Sequence, residues 1–152
     1  MSVTDREAIG PASTVESQPF WEGLRAHRLM LQRCADCKKP RHYPRPMCDR
    51  CFSLRDEWFH ASGHGQVHSW TVCHHAFHPG FADRVPYVLV TAQMAHGVRM
   101  VAPLDENDGS VLSLGAPVTL DYEDVTDDLT LPRFRLADTT DTTQGPGPKE
   151  HG

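Results

Sequence analysis

The chain has 152 residues, 39% hydrophobic and 23% charged, enough for one compact domain or a small module on a modest one. No run approaches the ~18 apolar residues of a membrane span, and the opening MSVTDREAIGPASTVESQ lacks the basic start and apolar core of a signal peptide. A cytoplasmic location is the default expectation, and in that reducing compartment C-x-x-C pairs read as metal or redox sites.

The net charge of −5 is segregated. Arg25 to Arg55 hold nine Lys/Arg and two Asp, a net of +7, and the remaining six basic and eighteen acidic residues leave −12. Such asymmetry points to an anionic partner, or to a metal site whose excess negative charge nearby cations offset.

In chain order, residues 1–17 are polar and broken by Gly10-Pro11, and are expected to form a flexible arm. SQPFWEGLRAHRLML predicts a short amphipathic helix with Ser17 as N-cap, Pro19 in the first turn, and Phe20, Trp21, Leu24 and His27 at helical spacing. RLMLQRC then reads as a strand, so that 18–33 form a helix and lead-in strand. Residues 34–55 form a cysteine module, and 56–137 change to a period of two. There EWFHASG, QVHSWTVCHHAF, PYVLVTAQMAHG, VRMVAPLD, VLSLGAPVTLDYEDV and LTLPRFRLA alternate with glycine and proline turns. In the second of these, Val67, Ser69, Thr71 and Cys73 share one face. A mainly β fold follows, with a five-stranded OB-fold barrel as the commonest solution. Its expected core is Tyr87, Val88, Val90, Met100, Val101, Val118, Leu120 and Phe134. The tail from Asp138 to Gly152 has the composition of a disordered segment.

The chemistry concentrates in CADCKKPRHYPRPMCDRC, where Cys34, Cys37, Cys48 and Cys51 form two C-x-x-C knuckles separated by ten residues. Four thiolates from two tight turns suit a tetrahedral metal. Zinc is preferred to iron, because Lys38 and Phe52 stand after the knuckles where iron knuckles usually carry glycine. A site closed by four cysteines leaves no position for water or substrate, so its role is to fold residues that could not build a core alone. Cys73 beside His74 reads as a small buried thiol, since neighbouring strand residues point to opposite faces. His74, His75 and the other histidines nearby read as surface or interface groups. Phe77 and Phe81, in a Pro/Gly-rich loop, are either folded back or offered to a partner. No phosphate-binding glycine loop, nucleophile elbow or dinucleotide fingerprint is present.

The order of PFWEGLRAHRLMLQRC, CADC, YPRPMCDRC, VPYVLVTAQMAHGVRMVA, LGAPVTLDY and LPRFRLA resembles the acyl-CoA-associated OB-fold family with an N-terminal rubredoxin-like zinc ribbon, over roughly residues 18–137. The resemblance implies a non-catalytic accessory subunit that docks on a thiolase-like enzyme, of the lipid-transfer-protein-type thiolase or aldolase kind. It would help form an acyl-CoA site in carbon–carbon bond cleavage or acyl transfer, as in degradation of steroid side chains or aromatic acids. A heterotetramer of two plus two chains is expected. It assigns Cys34, Cys37, Cys48 and Cys51 to one structural zinc, and Trp21, Trp58, Gly63, Gly65, Tyr87 and Gly115 to architecture. Partner or acyl-CoA contacts are expected from Phe20, Trp21, Arg41, Arg45, His74, His75, Phe77 and Phe81, with arginine suited to phosphate oxygens. The alternative is a single-stranded nucleic-acid module, which would need a basic groove interleaved with stacking aromatics. Here the ribbon is basic but the barrel is acidic.

Overall fold

The computed structural model describes residues 11–104 and 111–137; the tail from Asp138 and the first ten residues of the N-terminal arm lie outside them. Helix α1 (Gln18–Arg25) opens the ordered part, with a proline in its first turn where a missing N–H costs nothing. Ser17 occupies the N-cap without making a side-chain cap bond; its hydroxyl accepts from the Thr14 amide at 2.9 Å instead. The helix ends before His27, which has φ +51. The Arg28 amide reaches back to the Gly23 carbonyl at 2.8 Å, a C-terminal lock usually built on glycine. His27 therefore leaves the apolar face assigned to it. It stacks on Tyr122 with the planes 4° apart and meets Asp124 at 3.0 Å.

Strands β1 (Met30–Cys34), β2 (Pro40–Arg41) and β3 (Asp56–His60) form a small antiparallel sheet in the order β2-β1-β3. Periodicity alone groups Asp56–His60 with the barrel. The structure pairs it with β1 from Met30↔His60 to Cys34↔Asp56, so the strand belongs to the ribbon sheet.

The second sheet contains β4 (His64–Cys73), β5 (Tyr87–Met94), β6 (Arg99–Pro103), β7 (Pro117–Thr126) and β8 (Leu129–Leu136). Its antiparallel order is β6-β5-β4-β7-β8. A parallel bridge between Leu104 and Phe134 joins the two edges, giving the five-stranded closure of an OB-fold. β5 obeys strict alternation and buries Val88, Val90, Ala92 and Met94. β4 does not. Its pairing shifts between Val67 and Ser69, so His68 is the extra residue of a bulge. Beyond it Trp70 and Val72 pack on the core, while Ser69 and Thr71 face outward. The shared face expected for Val67, Ser69, Thr71 and Cys73 is broken there.

Six of the eight expected core residues are buried: Val88, Val90, Met100, Val118, Leu120 and Phe134. Tyr87 is half-buried. Val101 is 42% exposed, because Met100 and Ala102 take the inward positions of β6. Phe20 and Leu24 of α1, Leu29 and Leu31 at β1, and Ala61 join the barrel residues in one continuous core. Two glycines of the family pattern have physical reasons. A β-carbon on Gly65 would lie 2.9 Å from the Gln93 carbonyl oxygen and the Met94 sulfur, and Gly115 has φ +79.

A four-cysteine centre and its surroundings

The ribbon sheet and two knuckles bring the four expected cysteines together. Their sulfurs all lie within 4.8 Å of one another, with Cys34–Cys51 at 3.5 Å and Cys37–Cys48 at 3.6 Å. These separations exceed a disulfide bond. They match the ~3.8 Å edge of a tetrahedron whose metal–sulfur bonds are about 2.3 Å.

The two knuckles repeat one hydrogen-bond design. The Lys38 amide donates to the Cys34 carbonyl at 3.1 Å, and the Phe52 amide to the Cys48 carbonyl at 3.0 Å. The Cys34 amide donates to the Lys39 carbonyl at 3.0 Å, and the Cys48 amide to the Ser53 carbonyl at 2.9 Å. Both turns need a left-handed residue after the second cysteine, and Lys38 (φ +61) and Phe52 (φ +58) fill that role. The absence of glycine there is therefore a departure in side chain, with the backbone bend retained.

Amides also aim at the sulfurs, from Cys37 to Cys34 at 3.5 Å and from Arg50 to Cys48 at 3.4 Å. The Cys37 amide is the leading influence holding the Cys34 thiol below its ordinary value. The Cys51 and Arg50 amides hold Cys48 down to about 6. The Ser53 amide pulls Cys51 down as well, but the Cys34 sulfur, burial and the other two sulfurs outweigh it and push the group up to about 12. Four such close sulfurs cannot all ionise unless a cation shares their charge. Donor set and spacing both fit a metal, and with four protein ligands it would supply cross-linking, with no open position for Lewis-acid chemistry.

Charge pairs brace the knuckles against each other. Asp36 of the first accepts from Ser53 and Arg55 after the second, and Lys39 after the first meets Asp49 of the second at 2.8 Å. Glu57 on β3 takes Arg33 at 2.6 Å and Lys38 at 2.8 Å. Four of the nine cations between Arg25 and Arg55 thus pair with local carboxylates. Arg45 and Arg50 are exposed and have no ion-pair partner among the described residues.

The expected contact residues do not converge on one place. Phe20 is core, and Arg41 is 3% exposed, its guanidinium donating to Gln32 at 2.5 Å and to the Arg45 carbonyl at 2.9 Å. Phe20 nevertheless lines a cleft together with Trp21, while Arg41 braces the ribbon from within. Trp21 lines a cleft of about 460 Å³ with His42, Tyr43 and Val101. Phe81 lines another of about 510 Å³ with Tyr87, Arg84 and Glu123. Pro132 touches both clefts. His74 and His75 are exposed, and Phe77 is 82% exposed with its ring edge-on to His75 at 4.9 Å. Cys73 is half-buried opposite Tyr87 on β5. Desolvation first, and the Cys73 sulfur second, raise the Tyr87 phenol above its ordinary value. Among the described residues the four cysteines are the one group of three or more His, Cys, Asp or Glu arranged to hold a metal. No helix among them is long and apolar enough to cross a membrane.

A rubredoxin-like ribbon packed against an OB barrel defines a class of small two-part β proteins. Residues 21–57 match the model of the ChsH2 rubredoxin-like zinc ribbon domain, and residues 58–123 that of the ChsH2 C-terminal OB-fold domain. The chain belongs to this ChsH2 (DUF35) family. It is similar to a chain of the solved structure "Ltp2-ChsH2(DUF35) aldolase", with 38% identity and TM-score 0.76 over 84% of this chain and 98% of that one. A DUF35 protein of unknown function from Sulfolobus solfataricus, 13% identical with TM-score 0.57 over 82% and 87% of the two chains, shares the fold. Two curated relatives are longer. The "Probable enoyl-CoA hydratase alpha subunit" of Thermomonospora curvata is 39% identical over 86% of this chain and 41% of its own length. The "3-oxo-4,17-pregnadiene-20-carboxyl-CoA hydratase alpha subunit" of Mycobacterium tuberculosis is 35% identical over 77% of this chain and 37% of its own. The chain thus spans about two fifths of these relatives.

Proposed function

We propose that the chain is a non-catalytic, zinc-binding accessory subunit that docks on a thiolase-like enzyme and helps form its acyl-CoA site. The observation that carries this reading is the likeness to the chain of the Ltp2-ChsH2(DUF35) aldolase structure, which extends over 98% of that chain. The closed four-sulfur centre agrees with it, since a metal there has no free position for substrate. In this reading the partner supplies the nucleophile and base for carbon–carbon bond cleavage or acyl transfer, with steroid side-chain or aromatic acid thioesters as the substrate class. Two copies of each chain form the complex, and Trp21, Arg45, His74, His75, Phe77 and Phe81 face the partner or the acyl-CoA. Residues 18–33, 34–55 and 56–137 act as helix and lead-in, ribbon and barrel of one docking unit.

Co-expression with a thiolase-like protein encoded beside it tests the proposal. The expected result is a complex of equal stoichiometry by light scattering, with one zinc per copy of this chain in the same peak. A chain that ignores the thiolase and shifts a single-stranded oligonucleotide at moderate salt would refute it. The names of the two curated relatives favour a second reading, in which the enzyme served is an enoyl-CoA hydratase. Co-purification with a hydratase in place of the thiolase would select that one.

A further inference from the structure

The second knuckle displays apolar side chains in a manner that its own fold does not require. Phe52 holds the left-handed conformation (φ +58), which glycine adopts freely and a phenylalanine only at a cost. Its ring is 70% exposed and makes no ring contact among the described residues. The corresponding residue of the first knuckle is Lys38, whose ammonium engages Glu57, so the backbone bend itself does not demand an aromatic. Leu54 is 71% exposed and Met47 47% exposed. The bond from the Cys48 amide to the Ser53 carbonyl closes this turn, with Met47 immediately before it and Leu54 immediately after it in the chain. Arg50, on the same turn, has no ion-pair partner among the described residues, and Arg45 reaches only the field of Asp49, whereas Arg33, Lys38, Lys39 and Arg55 each have a close carboxylate.

Resting on the accessory-subunit reading, we propose that the tip of the second knuckle is the surface by which the chain docks on its catalytic partner. Met47, Phe52 and Leu54 form the apolar centre, with Arg45 and Arg50 at the rim. The partner it fits is a protein presenting an apolar pocket edged by Asp and Glu. The charge pattern commits the proposal to that occupant: the tip adds the exposed Arg45 and the unpaired Arg50 to apolar surface, and aromatic and arginine side chains are enriched in protein interfaces. A metal held by the four cysteines would clamp the two knuckles and keep the turn in a single shape before binding, so little ordering would remain for the complex to impose.

The test uses the full chain and the thiolase-like protein, with affinity measured at low and moderate salt. Phe52→Gly suits the backbone bend, and Arg50→Glu reverses an unpaired charge. Leu114→Ser, at an exposed barrel position, serves as control. Phe52→Gly is expected to weaken binding about tenfold or more, and Arg50→Glu about fivefold with a shallower salt dependence. Metal content and denaturation midpoint should not fall in either, and Leu114→Ser should bind as wild type. Unchanged binding by Phe52→Gly, while the wild type binds, overturns this inference and leaves the accessory reading standing. Failure of the wild type to bind removes both. Self-association of the wild type that Phe52→Gly abolishes would reassign the tip to the acidic barrel of a second copy and overturn the occupant named here.

Discussion

Phe52 and His42 show how single side chains set against their surroundings make measurable predictions. A non-glycine residue in the left-handed region costs ~1–2 kcal/mol, and the exposed Phe52 ring recovers little by burial. Phe52→Gly should therefore raise the unfolding free energy of the isolated chain by about 1 kcal/mol, after the extra chain entropy of glycine is set against the relief. Urea denaturation of the metal-loaded protein checks the sign. His42 is packed 5.1 Å from Phe20 and 4.1 Å from Tyr43, and burial holds its imidazole down to about 4 from 6.5. The unfolded chain takes up that proton first as pH falls. Stability is therefore complete above pH 6.5 and is lost between there and pH 4, by roughly 3 kcal/mol from this group. His42→Phe should flatten that part of the acid limb relative to wild type, as read from urea midpoints at pH 7 and about pH 4.5.

Within the elements, β4 and the knuckles give the sharpest tests. Gly65→Ala places a β-carbon 2.9 Å from the Gln93 carbonyl oxygen, a backbone atom that can yield only by separating β4 from β5. A loss of about 1–3 kcal/mol is expected, read as an earlier thermal transition with metal content unchanged. Cys48→Ser leaves three thiolates for the metal. After loading with zinc, it should give the metal up to a colorimetric chelator at concentrations the zinc-loaded wild type resists, and lose the ribbon's protection from proteolysis. Legibility from sequence followed the same physics. The knuckles were readable because ligand spacing is local, and β5 because every second residue of YVLVTAQM is apolar and buried. β4 was out of phase beyond Val67, since a bulge inserts a residue without a compositional mark. That β3 pairs with β1 is not legible in its sequence, because alternation reports a strand and not its neighbour. The exposure of Met47, Phe52 and Leu54 is not legible in the sequence, where Phe52 marks only a missing glycine, because the turn that carries them has no period against which an outward apolar residue stands out.

At the scale of the whole molecule, ribbon and barrel are not independent. Leu29 and Leu31 from the ribbon side, Phe20 and Leu24 from α1, and Phe134 from β8 share one core. His27 on Asp124 adds a polar tie across the same junction. Stripping the metal should consequently lower the melting of the barrel as well, by about 10 °C or more, because apolar area over the barrel is uncovered along with the ribbon. Near-ultraviolet circular dichroism of Trp70 in the barrel, followed through chelation, checks this; a barrel transition that does not move would show the two parts to be separable. The closing bridge from Leu104 to Phe134 carries a practical consequence for dissecting or grafting the protein. The OB-fold similarity runs to residue 123, yet the residue that seals the barrel stands at 134. A fragment trimmed where the likeness stops would be a cask without its last stave, and transplanting the barrel onto another protein means carrying β8 and α1 with it.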